Sequence, residues 1–541
     1  MPGPFYRLTT ARLRLEREWR LWNINRQVRA HAVPDPDQPP VVFFNASSRL
    51  EGLSQNAAFT QLTAWGLQMR GIPVVHFACQ GGMTRCPLGA DPDRPDQPPL
   101  CKACAAQTRK LTAAAQTRWF EFAPDPALDA ALGGLSVDEM AGFAWRGGSE
   151  ALGSERDIPL GALTLPSLRW RLRRHHLVDD EPTRALFREF IRSAHRVAVT
   201  FDALLREVQP QAAVVFNGLQ FPEAAARWVA QQHGIRVITH EVGFQPFSAF
   251  FSAGEATAYP IEIPDDFELT PAQQERLERQ LSRRLQGDFT MAGITFWPEM
   301  RGLDDDFLRR AADFRQIVPV FTNVVFDTSQ VHANTVFPQM FAWLDLVLEI
   351  IRAHPETLFV LRAHPDEMRA GKESRESVQE WVRSNGVAEL PNVLFVGSDE
   401  PLSSYDLIRR SKFVLIYNSS IGLEASLLGI PVLCGGQARY THYPTVFFPQ
   451  TPQEYRQMAD DFLSAETIEV PPAFRHNALR FLYYQFYRAA LPFDRYLTAH
   501  PTPGYVQFKP FSWHDLLPEN SPVMQVVSDG VLRGTPFLMD D

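Results

Sequence analysis

A nine-residue segment in the second half of the chain combines residue types that bind phosphate and sugar hydroxyls. It reads YNSSIGLEA from Tyr417 to Ala425, and its pattern predicts a strand, a tight turn and a helix. Ser419 and Ser420 are residues that commonly begin helices. The free N–H groups at a helix start favour a bound anion. We therefore interpret this turn as a candidate phosphate site.

Two further residues of the same segment fit a nucleotide-sugar. Gly422 lies in the first turn, where it lets a ligand approach the backbone. Glu424 follows Ser420 by four residues, which places both on one helical face. Its carboxylate can accept a pair of sugar hydroxyls, while the diphosphate lies at the helix tip.

An ordinary capped helix is the alternative interpretation of this segment. Its capping box would need an acid three residues after the cap, but Leu423 stands at that position after Ser420. Glu424 is thus left without an evident local structural role. The pattern alone leaves both interpretations open.

Other candidate donor-binding residues follow two predicted strands. Arg362 and His364 come after an apolar run at 358–361, and Asn323 and Asp327 come after a run at 317–322. Arg362 and His364 alternate along the chain, so they leave one face of the strand end together. Beside the serine turn, they would supply positive charge to a diphosphate, although His364 can also be a helix-start residue with only local bonds.

Strands and helices alternate in both halves of the chain, which predicts an α/β protein with two parallel-sheet domains facing each other. We expect a helix at 104–122, a loop containing Glu241 after a strand at 235–239, and an irregular end to the chain. The predicted divisions, listed in order, are a basic arm (1–40), a first domain (41–265) with a cysteine-rich loop (79–104), a helical connector (266–315), a second domain (316–470), and a C-terminal helix and tail (471–541).

The composition limits the class of protein. The chain has 541 residues, 45% of them hydrophobic, and a formal net charge of −9. These values indicate packed multidomain structure and argue against a general nucleic-acid binder. No run of about 18 apolar residues predicts a membrane span, so we expect a cytoplasmic protein. The arginine-rich arm either packs on its own domain or contacts the anionic inner face of a membrane.

Four of the five cysteines cluster in a loop that is poor in apolar residues: Cys79, Cys86, Cys101 and Cys104. Burial cannot hold such a loop together, whereas a tetrahedral thiolate site can. The Cys101-x2-Cys104 half has standard zinc-ligand spacing, and the first half is wider. We therefore expect a structural zinc ahead of an iron–sulfur cluster, with free thiols or a redox pair as the alternative.

The second half resembles the C-terminal domain of GT-B glycosyltransferases, especially capsule polysaccharide biosynthesis proteins. Four pieces carry the resemblance over roughly 315–460, in this order: FTNVVFD from Phe321, FAWL from Phe341, RAHPDE from Arg362, and the segment from Tyr417 to Val432. The resemblance implies two Rossmann-like domains around a cleft. It also implies a nucleotide-sugar donor, a polysaccharide or glycolipid acceptor, and no obligatory metal in catalysis. The cysteine loop departs from the general pattern.

An inverting transferase also needs a general base on the acceptor side. Glu51 and Glu241 each follow a first-domain strand, and we favour Glu51 as the base and Glu241 for contact with the donor. Local pairing or loop capping can explain each of them equally well. A nucleotide-sugar 2-epimerase of the same fold and a non-catalytic module of a polysaccharide-assembly complex are the alternative functions.

Overall fold

The computed structural model of the protein describes residues 4–45, 53–87, 97–146, 157–285, 301–369, 373–502 and 504–541. The α-helices are α1 Pro4–His31, α2 Gln55–Met69, α3 Cys101–Leu111, α4 Pro126–Leu132, α5 Val137–Ala141, α6 Leu160–Leu172, α7 Glu181–Val208, α8 Phe221–Gln232, α9 Pro271–Leu285, α10 Asp305–Ala311, α11 Gln330–Ala333, α12 Met340–Ala353, α13 Val378–Ser384, α14 Ser404–Arg409, α15 Ile421–Leu427, α16 Pro452–Ser464, α17 Pro472–Tyr483 and α18 Pro522–Arg533. The strands are β1 Val41–Asn45, β2 Leu53–Ser54, β3 Val74–Cys79, β4 Gln116–Phe120, β5 Ala212–Phe216, β6 Arg236–Val242, β7 Ser248–Ser252, β8 Gln316–Phe321, β9 Thr357–Arg362, β10 Val393–Val396, β11 Val414–Ile416, β12 Val432–Cys434, β13 Leu491–Pro492, β14 Leu497–Ala499 and β15 Tyr505–Phe508.

The first sheet has seven strands in the order β13-β7-β6-β5-β1-β3-β4. The five from β6 to β4 run parallel, and β7 and β13 are antiparallel to their neighbours. Val41 and Phe43 of β1 pack into the core that contains α2, while Val42 and Phe44 pack into the core that contains α7 and α8. Burial on both faces explains why β1 is a continuous apolar run.

The second sheet has five parallel strands in the order β10-β9-β8-β11-β12. Leu358 and Val360 of β9 pack with α17, and the alternate residues Phe359 and Leu361 pack with α12 and α16. Each domain is therefore a sheet between two helical layers. The prediction of an α/β protein with two parallel-sheet domains is confirmed.

The C-terminal segment completes the first domain, and the prediction of an irregular end to the chain is wrong. After α17 contacts the second domain, β13 pairs with β7 of the first sheet. Helix α18 packs on α2, and Phe493, Phe508 and Phe537 join the first-domain core. The strands of this segment are only two to four residues long, so their hydrophobic alternation is too brief to detect in the sequence.

Two other sequence predictions differ from the structure. The expected helix at 104–122 ends at Leu111, and the following residues form the edge strand β4, where Thr117, Trp119 and Phe120 have β propensity. Glu241 lies within β6 rather than in a loop, because pairing with β7 extends that strand. The connector contains the helices α9 and α10, as expected from its charged helical pattern. Among the described helices, none has the length and apolarity needed to cross a bilayer.

Candidate functional site

The carboxyl ends of three neighbouring strands in the second sheet bring polar side chains together. Asn323 follows β8 and Asn418 follows β11, and these strands are adjacent. The side-chain amide of Asn323 donates to Oδ1 of Asn418, which also accepts a 3.2 Å hydrogen bond from Nε2 of Gln330. The Asn323 backbone N–H lies 3.1 Å from the Met340 sulfur. Asn323 is therefore fixed at the edge of the sheet next to the serine turn.

Arg362 ends β9, the strand on the other side of β8. It is only 5% exposed, and its Nη1 atom has no hydrogen-bond partner among the described residues. Burial lowers the pKa of its guanidinium to about 10, and the charge of Glu400 opposes this decrease. A buried cation with an unused donor atom is costly, so an anion at this position would be stabilising.

His364 lies two residues beyond Arg362 and is partly buried. Its Nδ1 atom accepts a 3.1 Å hydrogen bond from the backbone N–H of Asp366, which assigns the proton of the neutral ring to Nε2. Burial lowers the pKa of His364, and the charges of Asp366 and Asp327 oppose this decrease. The neutral ring thus presents one N–H donor near the guanidinium.

The serine turn leads into the seven-residue helix α15. Oγ of Ser419 accepts a 3.4 Å hydrogen bond from the N–H of Ile421, and the Tyr440 hydroxyl donates to the Ser419 carbonyl at 2.6 Å. Ser420 occupies the cap position, but its side chain makes no capping hydrogen bond, and it is exposed. A ligand can therefore reach this exposed side chain.

Gly422 faces protein atoms at very short range. A Cβ atom there would lie 2.3 Å from Cδ1 of Ile416, 2.6 Å from the Tyr440 hydroxyl and 3.3 Å from Cγ1 of Val432. The lack of a side chain therefore allows α15 to pack closely on β11 and β12. This packing explains the glycine without a ligand.

Glu424 is buried and has a structural partner. One of its carboxylate oxygens accepts a 2.6 Å hydrogen bond from the Tyr405 hydroxyl, so Glu424 has a structural partner outside its own helix. It also lines a cavity of about 280 Å³ together with residues of α9, α15 and α17. The lining residues are Glu278, Leu281, Ser282, Glu424, Leu427, Leu428, Arg475 and Leu479.

Glu241 is a first-domain carboxylate that accepts hydrogen bonds from three donors. Its Oε2 atom accepts a 2.9 Å hydrogen bond from Asn217, and its Oε1 atom accepts 2.9 Å hydrogen bonds from Asn56 and from the N–H of Val242. Burial raises the pKa of Glu241, the three donors oppose this rise, and the charge of Asp327 adds to it. Asn217 has a φ of 61°, a conformation that costs energy in a non-glycine residue. The other candidate base, Glu51, lies outside the described residues.

Second-domain groups reach the first domain close to Glu241. The charge of Asp327 acts on the pKa values of Glu241, Tyr259 and His364, so this carboxylate lies near candidate residues of both domains. The Arg439 guanidinium carbon lies 4.5 Å from the Phe244 ring centroid and 4.3 Å from that of Tyr259. The contact between the two domains therefore contains acids, cations and aromatic rings.

Sequence reasoning missed several residues of the candidate site: Asn56, Phe244, Tyr259, Asn418 and Arg439. Asn418 directly follows the strand that precedes the serine turn, so its position was a usable signal. Tyr259 and Arg439 lie in loops whose arrangement depends on contact between the domains, and no local pattern marks them.

The predicted four-cysteine metal site is not supported. Cys79, Cys101 and Cys104 are near enough for their charges to interact, and burial raises the pKa of Cys79 to about 11. Cys86 belongs to the apolar core that also contains Met83. Among the residues that the structure describes, no group of three or more His, Cys, Asp or Glu side chains is arranged to hold a metal ion.

A family model described as Capsule polysaccharide biosynthesis protein matches residues 294–446. The match spans less than half of the chain, but it includes all the second-domain candidate residues. The predicted resemblance to this family is confirmed for that segment. No protein with a curated description matches the sequence.

Similar solved structures include two of Thermosulfurimonas dismutans KpsC. The beta Kdo 2,4 transferase has 13% identity and a TM-score of 0.34, and covers 55% of this chain and 84% of its own. The beta Kdo 2,7 transferase has 14% identity and a TM-score of 0.32, and the match covers 58% of this chain and 86% of the transferase. The UDP-GlcNAc 2-epimerase from Neisseria meningitidis has 12% identity and a TM-score of 0.25, and the match covers 82% of this chain and 97% of the epimerase. At these values the likenesses carry no argument about substrate or reaction.

Proposed function

We propose that this protein is a GT-B glycosyltransferase that moves a sugar from a nucleotide-sugar onto a growing surface or capsular polysaccharide or a glycolipid. The observation that carries the proposal is the buried Arg362 guanidinium with its unused Nη1 donor. It stands at the carboxyl edge of a parallel sheet, where open α/β folds bind their ligands. The capsule-family match over the same domain supports the polysaccharide as the setting.

The donor diphosphate would bind between Arg362 and the serine turn. Arg362 supplies a full positive charge, and His364 supplies its Nε2–H as a neutral donor. The exposed Ser420 hydroxyl adds a further polar contact. Because α15 has only seven residues, the side-chain donors rather than the helix dipole carry this proposed site. The Glu424 carboxylate would accept hydrogen bonds from hydroxyls of the ribose or of the sugar in this proposal.

In this proposal Glu241 is the acceptor-side base in place of Glu51, which the sequence favoured for that role and which lies outside the described residues. Its carboxylate would take the proton of the acceptor hydroxyl, whose oxygen forms a bond to the anomeric carbon as the bond from that carbon to the diphosphate breaks. The charge that develops on the diphosphate would be stabilised by Arg362 and His364. Burial brings the pKa of Glu241 upward, which makes it a better match for proton transfer near neutral pH.

The first experiment is a thermal-shift screen of nucleotides and nucleotide-sugars, because a ligand that binds the native state raises its stability. A stabilising nucleotide-sugar is then incubated with and without a polysaccharide or glycolipid acceptor. Acceptor-dependent release of the nucleotide supports the transferase. Conversion of the donor sugar without an acceptor would instead identify an epimerase, and the absence of any nucleotide binding would favour a non-catalytic module.

Glu241→Gln tests the base. The amide keeps the size of the side chain but cannot take a proton, so we expect turnover to fall by about 10²- to 10⁴-fold while donor affinity changes little. Glu51→Gln is the matched comparison, because it removes the other candidate base. Full activity in Glu241→Gln, with loss in Glu51→Gln, would transfer the role to Glu51.

A further inference from the structure

Helix α1 carries two apolar faces on opposite sides. One face is buried in the first-domain core and consists of Leu21, Ile24 and Val28. The other consists of Leu15, Trp19 and Trp22, which are exposed by 67%, 61% and 55%. Their spacing of four and three residues aligns them in one stripe along the helix, which we call the outer stripe.

The outer stripe is the only clustered set among the large exposed hydrophobic residues of the described part of the chain. The others are dispersed along the sequence: Val33, Leu100, Val178, Val331 and Met368. Single exposed apolar residues are normal on protein surfaces, whereas a contiguous apolar patch marks an interaction site. Two exposed tryptophans within four residues therefore indicate an interaction site for a partner.

The charge around the outer stripe indicates the chemistry of that partner. Helix α1 has seven arginines and two glutamates in its sequence, whereas the whole chain has a net charge of −9. Arg26 is exposed and lies 5.1 Å from the Trp22 ring centroid, and Arg29 is exposed one turn further. Glu18 is paired with Lys110 at 2.9 Å. The partner surface should thus carry negative charge and have an apolar layer beneath its charged groups.

We propose that the outer stripe docks this protein onto an anionic lipid bilayer, with α1 lying in the plane of the headgroups. Tryptophan favours the boundary between headgroups and acyl chains, and arginines beside it attract anionic lipids. The buried face packs α1 against the first domain, so the outer stripe lies in a straight line and can contact a flat bilayer surface. This inference concerns surface attachment and does not rest on the proposed glycosyl transfer.

Flotation of the full-length protein with vesicles tests the proposal. Vesicles of phosphatidylcholine alone are compared with vesicles that also contain phosphatidylglycerol, at low and high salt. We expect binding to the anionic vesicles that weakens with salt, and at least a tenfold higher lipid requirement for the double variant W19S/W22S. Val178→Ser, which removes an exposed apolar side chain elsewhere, is the matched control and should bind like wild type.

A second variant and a second measurement separate the alternatives. Arg26→Gln with Arg29→Gln should weaken binding to anionic vesicles and leave the melting temperature unchanged, since both side chains are exposed. Wild-type protein that fails to float, or W19S/W22S that floats equally well, would overturn the proposal. Sedimentation that shows a wild-type dimer abolished in W19S/W22S, without vesicle binding, would assign the stripe to a second copy of the chain.

Discussion

Replacing Arg362 by methionine separates a ligand-binding cation from a structural one. Burial lowers the pKa of this guanidinium to about 10, which corresponds to a penalty on the order of 3 kcal/mol for keeping it charged. Methionine removes that penalty together with the unused Nη1 donor. We therefore expect the ligand-free Arg362→Met protein to have an unchanged or higher free energy of unfolding.

The same substitution should weaken donor binding. A hydrogen bond between a charged group and its partner contributes about 1.5–3 kcal/mol, so the dissociation constant for the nucleotide-sugar should rise roughly 10- to 100-fold. Calorimetric titration with the donor identified by the thermal-shift screen measures this change. Chemical denaturation of the ligand-free protein measures the stability.

Arg352→Met is the control, because Arg352 is exposed near the end of α12, on the preceding helix. It should alter neither donor binding nor stability. If Arg362→Met instead loses several kcal/mol of stability and binds the donor normally, Arg362 is a structural residue. That result would remove the observation on which the proposed donor site rests.

Two further predictions concern stability. Gly422→Ala should lower the free energy of unfolding by about 1–3 kcal/mol, because the new methyl group meets Ile416 and the Tyr440 hydroxyl; chemical denaturation measures this loss. Adding Tyr440→Phe to Gly422→Ala should recover part of the loss. Full additivity of the two changes would contradict the contact. Burial raises the pKa values of Glu223 and Glu367 to about 8, above the ordinary value of 4.5. Between these two pKa values the native state binds more protons than the unfolded chain. The free energy of unfolding should therefore fall as the pH rises from 4.5 to about 8. The clearest window is pH 7 to 8, because the buried histidines with lowered pKa values have an ordinary pKa of 6.5 and have lost most of their protons above pH 7 in the unfolded chain as well. Glu223→Gln should flatten the decrease there, and an unchanged slope would contradict the raised pKa of Glu223.

The strands of both sheets could be predicted because their residues are buried on two faces. Val41 and Phe43 enter one core while Val42 and Phe44 enter another, and a continuous apolar run is the signature of such a strand. The edge strand β4 has mostly half-exposed residues and gives a weaker pattern, so it was mistaken for part of a helix. The short strand β13 depends on pairing with β7, in which Leu491 pairs with Ala249, 242 residues earlier in the chain, and no local window can contain that separation.

Within the candidate site, sequence reasoning located the strand ends but did not determine what each side chain contacts. Glu424 and Gly422 fitted a ligand by spacing, yet the structure gives Glu424 a hydrogen bond from Tyr405 and places Gly422 against Tyr440. Tyr405 lies in α14, before strand β11, and Tyr440 lies beyond strand β12. Only the tertiary structure therefore reveals their contacts with α15. Arg362 is the opposite case: its local motif predicted an anion site, and in the folded protein Nη1 has no hydrogen-bond partner among the described residues. A buried cation that the fold does not satisfy is stronger evidence for a ligand than a helix start whose side chains already have protein partners.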